Sequence, residues 1–75
     1  MPLETLDAKG LNCPMPILKA RQAIDRLGPG DQLEVLSTDP GSVQDFEAFS
    51  RATGHTLNES GEVEGVFRFL LTKSG

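Results

Sequence analysis

The spacing of apolar residues predicts a first amphipathic helix over residues 14–27. Within this range, apolar side chains recur at helical spacing at Ile17, Ala20, Ile24 and Leu27. The helix is expected to end at Gly28-Pro29-Gly30, because glycine adopts the left-handed C-terminal conformation and proline cannot continue the hydrogen-bond ladder.

A second helix is predicted by the apolar stripe of Val43, Phe46 and Phe49. Its start is expected at Asp39-Pro40 or at Ser42, because these residue types cap helices or fit their first turn. Ser42 also has Asp45 three residues later, which favours a capping arrangement. Gly54 is expected to end this helix.

Alternating or β-branched segments predict four strands, at Leu3–Ala8, Gln32–Thr38, Thr56–Glu59 and Val66–Lys73. The last two are expected to be joined by a turn around residues 61–65. The last strand should place Phe67, Phe69 and Leu71 on one side of the sheet, with Val66 and Leu70 on the other.

The resulting order, β-α-β-α-β-β, has too few helices to cover both faces of a sheet. We therefore expect an α+β fold, a two-layer α/β sandwich in which two helices cover one face of a mixed four-stranded sheet. Right-handed crossovers should give parallel pairs, and the final hairpin should be antiparallel. With 75 residues, the chain is expected to be one domain spanning positions 1–75.

Composition restricts the classes of function. The chain has a formal net charge of −4 and no Lys/Arg-rich run, which argues against direct binding of nucleic acid. It has no apolar stretch approaching the roughly 20 residues that span a bilayer, so no membrane association is expected. A single cysteine forms no internal disulfide, which favours a reducing compartment and predicts a cytoplasmic location.

The chain's one cysteine, Cys13, precedes the first predicted helix and is followed by Pro14 and Pro16. Proline costs little in a first helical turn and biases the residue before it away from helical angles, so Cys13 and Met15 are expected to be non-helical. Cys13 should then lie near the N-cap, where the helix dipole and nearby Lys9, Lys19 and Arg21 favour a thiolate. A small buried cysteine with no chemistry is an equally good interpretation of this physics.

Three chemistries of a reactive Cys13 can be compared. A disulfide cycle within one chain requires a second cysteine, which is absent. Hydrolysis would require His55 beside the thiol, but His55 follows the second helix and is expected to be a surface or capping residue. A metal site would need further ligands from Asp39 or Asp45. Two possibilities remain for Cys13. It is a nucleophile that accepts a group and passes it on, or it forms a mixed disulfide with a partner.

The segment "LDAKGLNCPMP", the segment "GPGDQLEVLSTDP", Asp45 and the Gly54-His55 turn together resemble the TusA/SirA-like family of sulfur carriers. The resemblance implies that Cys13 accepts a sulfane sulfur as a persulfide from a cysteine desulfurase or similar donor. The sulfur would then pass to a downstream acceptor protein, as in tRNA 2-thiouridine synthesis or related sulfur trafficking. It implies a monomeric sulfurtransferase that acts as a carrier and needs no cofactor and no metal.

The same resemblance assigns roles to further residues. Pro14 and Pro16 would shape the start of the helix, while Arg21 and Asp39 would lie on the partner-binding surface. We expect Gly10 to belong to the same motif and Lys19 to the same surface. Many members carry Arg before the cysteine and Glu between the prolines, where this chain has Asn12 and Met15. The alternative to a carrier is a non-catalytic interaction or regulatory module whose cysteine is structural.

Overall fold

The computed structural model describes residues 3–12 and 14–74. Its elements are β1 (Leu3–Ala8), α1 (Met15–Asp25), β2 (Gln32–Ser37), α2 (Ser42–Thr53), β3 (Thr56–Val63) and β4 (Val66–Thr72). This β-α-β-α-β-β order confirms the predicted one.

The four strands form one mixed sheet in the order β1-β2-β4-β3. β1 and β2 are parallel, and β4 runs antiparallel to both of its neighbours, β2 and β3. Because β4 lies between β2 and β3, the second crossover gives no adjacent parallel pair in the described sheet. The predicted α+β sandwich is confirmed, with one parallel pair instead of several.

The core lies between the helices and one face of the sheet. Alternate residues of β2 and β4 are buried on this face, including Leu33, Val35, Phe69 and Leu71. Phe46 of α2 stacks on Phe69 with ring centroids 4.5 Å apart. The predicted apolar stripes of both helices and of β4 therefore meet in one cluster.

The two helices begin and end close to the predicted positions. α1 ends at Asp25, and the Lys73 ammonium donates a 2.6 Å hydrogen bond to the Leu27 carbonyl just beyond it. α2 ends at Thr53, and its C-cap Gly54 has a φ of +82°, the left-handed conformation that glycine adopts readily. No helix within residues 3–12 and 14–74 has the length and apolar character needed to cross a bilayer.

Neither predicted cap is observed at the start of α2, whose N-cap is Gly41 and which no described side chain caps. Ser42 does not cap the helix, because its hydroxyl is buried and hydrogen-bonded to that of Ser37 at 2.7 Å. The Asp39 carboxylate accepts a 3.0 Å hydrogen bond from the N–H of Gly41, the residue directly before α2. The buried hydroxyl pair links the end of β2 to the first turn of α2.

β3 is longer than predicted. It extends through Gly61 to Val63, and the hairpin turn consists of only Glu64 and Gly65, with φ of 51° and 81°. Two positive φ values are typical of a type I′ turn, whose twist matches that of the flanking strands. Gly61 is therefore a strand residue paired with Arg68 and not part of the turn.

An ion-pair network crosses the open face of the sheet. Arg68 of β4 donates hydrogen bonds to Glu34 of β2 and, at 2.6 Å, to Glu59 of β3. Thr5 of β1 donates a 3.0 Å hydrogen bond to Glu34. The hydrogen bond from Arg68, followed by that from Thr5, lowers the pKa of Glu34 below its ordinary value, and the two glutamates raise the pKa of Arg68. The network thus joins all four strands.

We predict that Glu34→Gln makes the free energy of unfolding less dependent on pH in acid. A lowered pKa in the folded state means that the contribution of Glu34 is fully present above its ordinary pKa of 4.5 and is lost as the pH falls through the folded-state pKa. Urea unfolding between neutral and acidic pH measures this dependence. Glu62→Gln, an exposed substitution on β3, is the control, and equal acid dependence in both variants would contradict the prediction.

Candidate functional site

The loop between β1 and α1 is attached to the end of β2. The Gly10 N–H donates a 2.9 Å hydrogen bond to the Thr38 hydroxyl, and the Leu11 N–H donates to the Ala8 carbonyl at 3.2 Å. Gly10 has a φ of +84°, and a Cβ at this position would meet no atom within 4 Å. Glycine is therefore favoured here by its backbone conformation and not by lack of space.

Pro14 and Pro16 lie at the predicted position, the start of α1. Pro14 directly precedes the helix and is exposed, whereas Pro16 lies in the first turn and is buried. A missing N–H costs little at these positions, because the first four N–H groups of a helix have no intrahelical acceptor. Met15 is helical although it precedes Pro16, so the expectation for Met15 was wrong. The burial of Pro16 on the core side of α1 outweighs the pre-proline bias.

Cys13 lies outside the described residues, so its predicted place near the N-cap stays a prediction. Its neighbours Asn12 and Pro14 are both exposed. The Met15 N–H donates a 2.8 Å hydrogen bond to the Asn12 carbonyl, and the Leu18 N–H donates to the Pro14 carbonyl at 3.1 Å. The chain on either side of the cysteine is thus held against the first turn of α1.

A groove between α1 and α2 begins at Pro14; we call it the helix groove. It is lined by Pro14, Ile17, Leu18, Arg21, Asp45, Ala48, Phe49 and Ala52. Leu18 is 44% exposed and adds apolar surface to this groove. The Arg21 Cζ lies 5.9 Å from the centroid of the Phe49 ring. Neither Leu18 nor Phe49 was predicted to line a surface groove, although Leu18 falls outside the core stripe of its helix.

The predicted partner-binding residues occupy two elements. Lys19 and Arg21 are exposed on α1, and Arg21 lines the helix groove. Asp39 is half-buried in the β2-α2 loop, where its carboxylate binds the Gly41 N–H. Because Thr38 binds Gly10, the loop that carries Asp39 lies beside the loop that leads to Cys13.

His55, which was predicted to be a surface or capping residue, is half-buried. Its Nδ1 accepts a 3.0 Å hydrogen bond from the Ser74 N–H, and its ring centroid lies 5.7 Å from that of Phe49. These contacts give His55 a packing role at the C-terminal end of α2. Within residues 3–12 and 14–74, no group of three or more His, Asp or Glu side chains is arranged to hold a metal ion.

Known proteins similar to this chain share one description. A sequence model of the family described as Sulfurtransferase TusA matches residues 4–73. The Sulfur carrier protein TusA of Allochromatium vinosum is 52% identical over 71 residues, which cover 95% of this chain and 93% of that protein. The protein of the same name from Pseudomonas putida is 38% identical over 72 residues, covering 96% of this chain and 90% of that protein.

A solved structure shows the same architecture. The crystal structure of a SirA-like protein from Desulfitobacterium hafniense superposes with a TM-score of 0.84 at 28% sequence identity. The match covers 97% of this chain and 99% of the other. The two-layer sandwich of this chain is therefore also found in a protein whose structure was solved by crystallography.

We predict that Thr38→Val loosens the loop that leads to Cys13. Valine has the shape of threonine but offers no oxygen to the Gly10 N–H, so the Gly10 amide should exchange its hydrogen with solvent faster than in the unmodified chain. The free energy of unfolding should fall by about 1 kcal/mol. Hydrogen exchange followed by NMR measures both effects. Thr56→Val, at the exposed start of β3, is the control, and unchanged exchange at Gly10 would contradict the role given to Thr38.

Proposed function

Because this chain belongs to the TusA sulfurtransferase family and is a sulfur carrier, we propose that Cys13 is the residue on which it carries sulfur. The sulfur would be held as a persulfide, received from a cysteine desulfurase or a similar donor. The observation that carries this proposal is the family match over residues 4–73 in a chain with one cysteine. No other residue of the chain can form a persulfide.

Each transfer is a thiol-persulfide exchange. The Cys13 thiolate attacks the terminal sulfur of the donor's persulfide, a new S–S bond forms, and the donor's cysteine leaves as a thiolate. In the second exchange, an acceptor thiolate attacks the terminal sulfur of the Cys13 persulfide, and the Cys13 thiolate leaves. Neither exchange needs an external oxidant or reductant, because one sulfane sulfur is moved and none is consumed.

The electrostatics of the α1 N-terminus support an anion at Cys13. An 11-residue helix has a partial positive charge at its N-terminus, worth about 0.3–1 kcal/mol to an exposed anion, and helix N-termini lower thiol pKa values. The first turn of α1 holds no acidic side chain that would oppose this effect. Both the attacking thiolate and the persulfide anion benefit.

The helix groove and the exposed side of α1 form the proposed partner surface. Met15 and Leu18 are 41% and 44% exposed and offer apolar contact near the helix entrance, while Lys19 and Arg21 supply positive charge. Asp39 lies in the β2-α2 loop, beside the loop that leads to Cys13. Donor and acceptor must both reach Cys13, so they are proposed to bind this surface in turn and not together. Transient complexes of this kind have small interfaces.

The proposed route of the sulfur is tRNA 2-thiouridine synthesis or related sulfur trafficking in the cytoplasm. In this role the chain carries sulfur between a donor enzyme and an acceptor protein. We propose that it works as a monomeric single domain, because one thiol and one surface suffice for both exchanges.

We predict that incubation with a cysteine desulfurase and free cysteine adds one sulfur atom to the chain, and that Cys13→Ser takes up none while remaining folded. Only the thiolate of Cys13 can accept the sulfane sulfur. Intact-mass spectrometry with and without reductant, beside circular dichroism of both proteins, measures this. Uptake by the serine variant would contradict the assignment of Cys13. No uptake by the unmodified chain from several donors would favour an interaction module with a structural cysteine.

We also predict that Arg21→Gln and Lys19→Gln each raise the KM for the donor protein about two- to fivefold, with kcat nearly unchanged. A charge lost at the rim of an interface costs about 0.2–1 kcal/mol, and the effect should shrink at high salt. Steady-state sulfur transfer at two ionic strengths measures this. Arg51→Gln, an exposed change on α2 outside the groove lining, is the control. Equal effects of all three substitutions would contradict a surface centred on α1.

A further inference from the structure

Arg21 is an exposed side chain whose position depends on a neighbouring ring. A free arginine side chain loses about 2 kcal/mol of rotamer entropy when it is fixed, so an exposed arginine has a definite place only where a contact holds it. Here the guanidinium Cζ lies 5.9 Å from the Phe49 ring centroid, within the distance of about 6 Å at which a cation over an aromatic face is attracted to it. Phe49 is the contact that localises Arg21.

The Phe49 ring is itself held by the core. It is 7% exposed and packs edge-on against Phe46, with centroids 6.5 Å apart and an interplanar angle of 82°. Phe46 is fully buried and stacks on Phe69 of β4. A line of three aromatic rings thus runs from the central part of the sheet to the floor of the helix groove.

Besides Arg21 and Phe46, Phe49 contacts His55, whose ring is held by Ser74. The imidazole ring lies 5.7 Å from the Phe49 ring at 46°, and both the N–H and the hydroxyl of Ser74 lie within 3.3 Å of its Nδ1. The Phe49 ring is therefore held by Phe46 and His55 while Arg21 packs against it from α1. Nothing in the proposed exchange chemistry uses these contacts.

We propose that Phe49 is a positioning residue for partner binding: it holds the Arg21 guanidinium at the helix groove, ready to pair with a carboxylate of the donor or acceptor. An aromatic contact leaves guanidinium N–H groups available, and these match a carboxylate in two-point geometry. This inference rests on the proposed function, because it concerns the surface used for sulfur transfer.

The test is sulfur transfer by Phe49→Leu, Phe49→Tyr, Arg21→Gln and the double variant F49L/R21Q. Leucine removes the π face, so the KM for the donor should rise about two- to fivefold with kcat retained. Tyrosine keeps the π face, so the KM of Phe49→Tyr should equal that of the unmodified chain. The double variant should be no worse than Arg21→Gln alone, since Phe49 acts through Arg21. KM effects that multiply in the double variant, or a loss of kcat without a change in KM, would overturn the proposal.

A second measurement applies even where Phe49→Leu fails to fold or where the chain accepts no sulfur. In the unmodified chain, the ring current of Phe49 should move the side-chain NMR signals of Arg21 upfield relative to those of Arg26, an exposed arginine one residue beyond α1. Equal signals for the two arginines would overturn the positioning role. Absence of sulfur uptake with the upfield shift present would instead contradict the proposed function and leave the Arg21–Phe49 contact standing.

Discussion

The stack of Phe46 on Phe69 is the contact on which the rest of the structure depends. It joins α2 to β4, the strand that lies between β2 and β3, at a centroid separation of 4.5 Å. In a chain of 75 residues the core is small, and a cavity left by one such ring costs about 3–5 kcal/mol of a total stability of about 5–15 kcal/mol. The position of α2, and with it one wall of the helix groove, follows from this stack.

The site is built outward from that core. The parallel pairing of β1 and β2 brings Ala8 opposite Ser37, so the loops that follow these strands leave the same edge of the sheet. The hydrogen bond from Gly10 to Thr38 then joins the two loops. One loop leads to Cys13 and the other to α2, so the helix entrance and the helix groove share one end of the molecule.

Much of this arrangement could be predicted from local patterns. The apolar periodicity of Phe46 and Phe49, the left-handed Gly54 and the prolines at the helix start are short-range signals, and the structure bears them out. The wrong expectations concerned how side chains are used after the elements pack. The Ser42 hydroxyl pairs with that of Ser37, five residues earlier, because the end of β2 and the first turn of α2 are both buried there, and the capping pattern around Ser42 does not indicate this burial.

The residues that line the helix groove also could not be predicted from local patterns. Leu18 and Phe49 are 31 positions apart and meet only because α1 and α2 pack side by side, so a reading of either helix alone could not assign them to one surface. Gly61 looks like a turn residue in sequence and becomes a strand residue because it pairs with Arg68. The family resemblance, by contrast, indicated the sulfur-carrier role from two sequence segments together with Asp45 and the Gly54-His55 turn, and the similarity to TusA proteins supports that role.

In the proposed function, one sulfur atom passes through Cys13 from donor to acceptor. The most direct measurement loads the chain with radiolabelled sulfur from a cysteine desulfurase, separates it from the donor, and then mixes it with an acceptor thiol protein. We expect the label to leave this chain and to appear on the acceptor as a reductant-sensitive persulfide, with the Cys13 thiol regenerated. Label that stays on the chain, or reaches the acceptor equally well through Cys13→Ser, would contradict it.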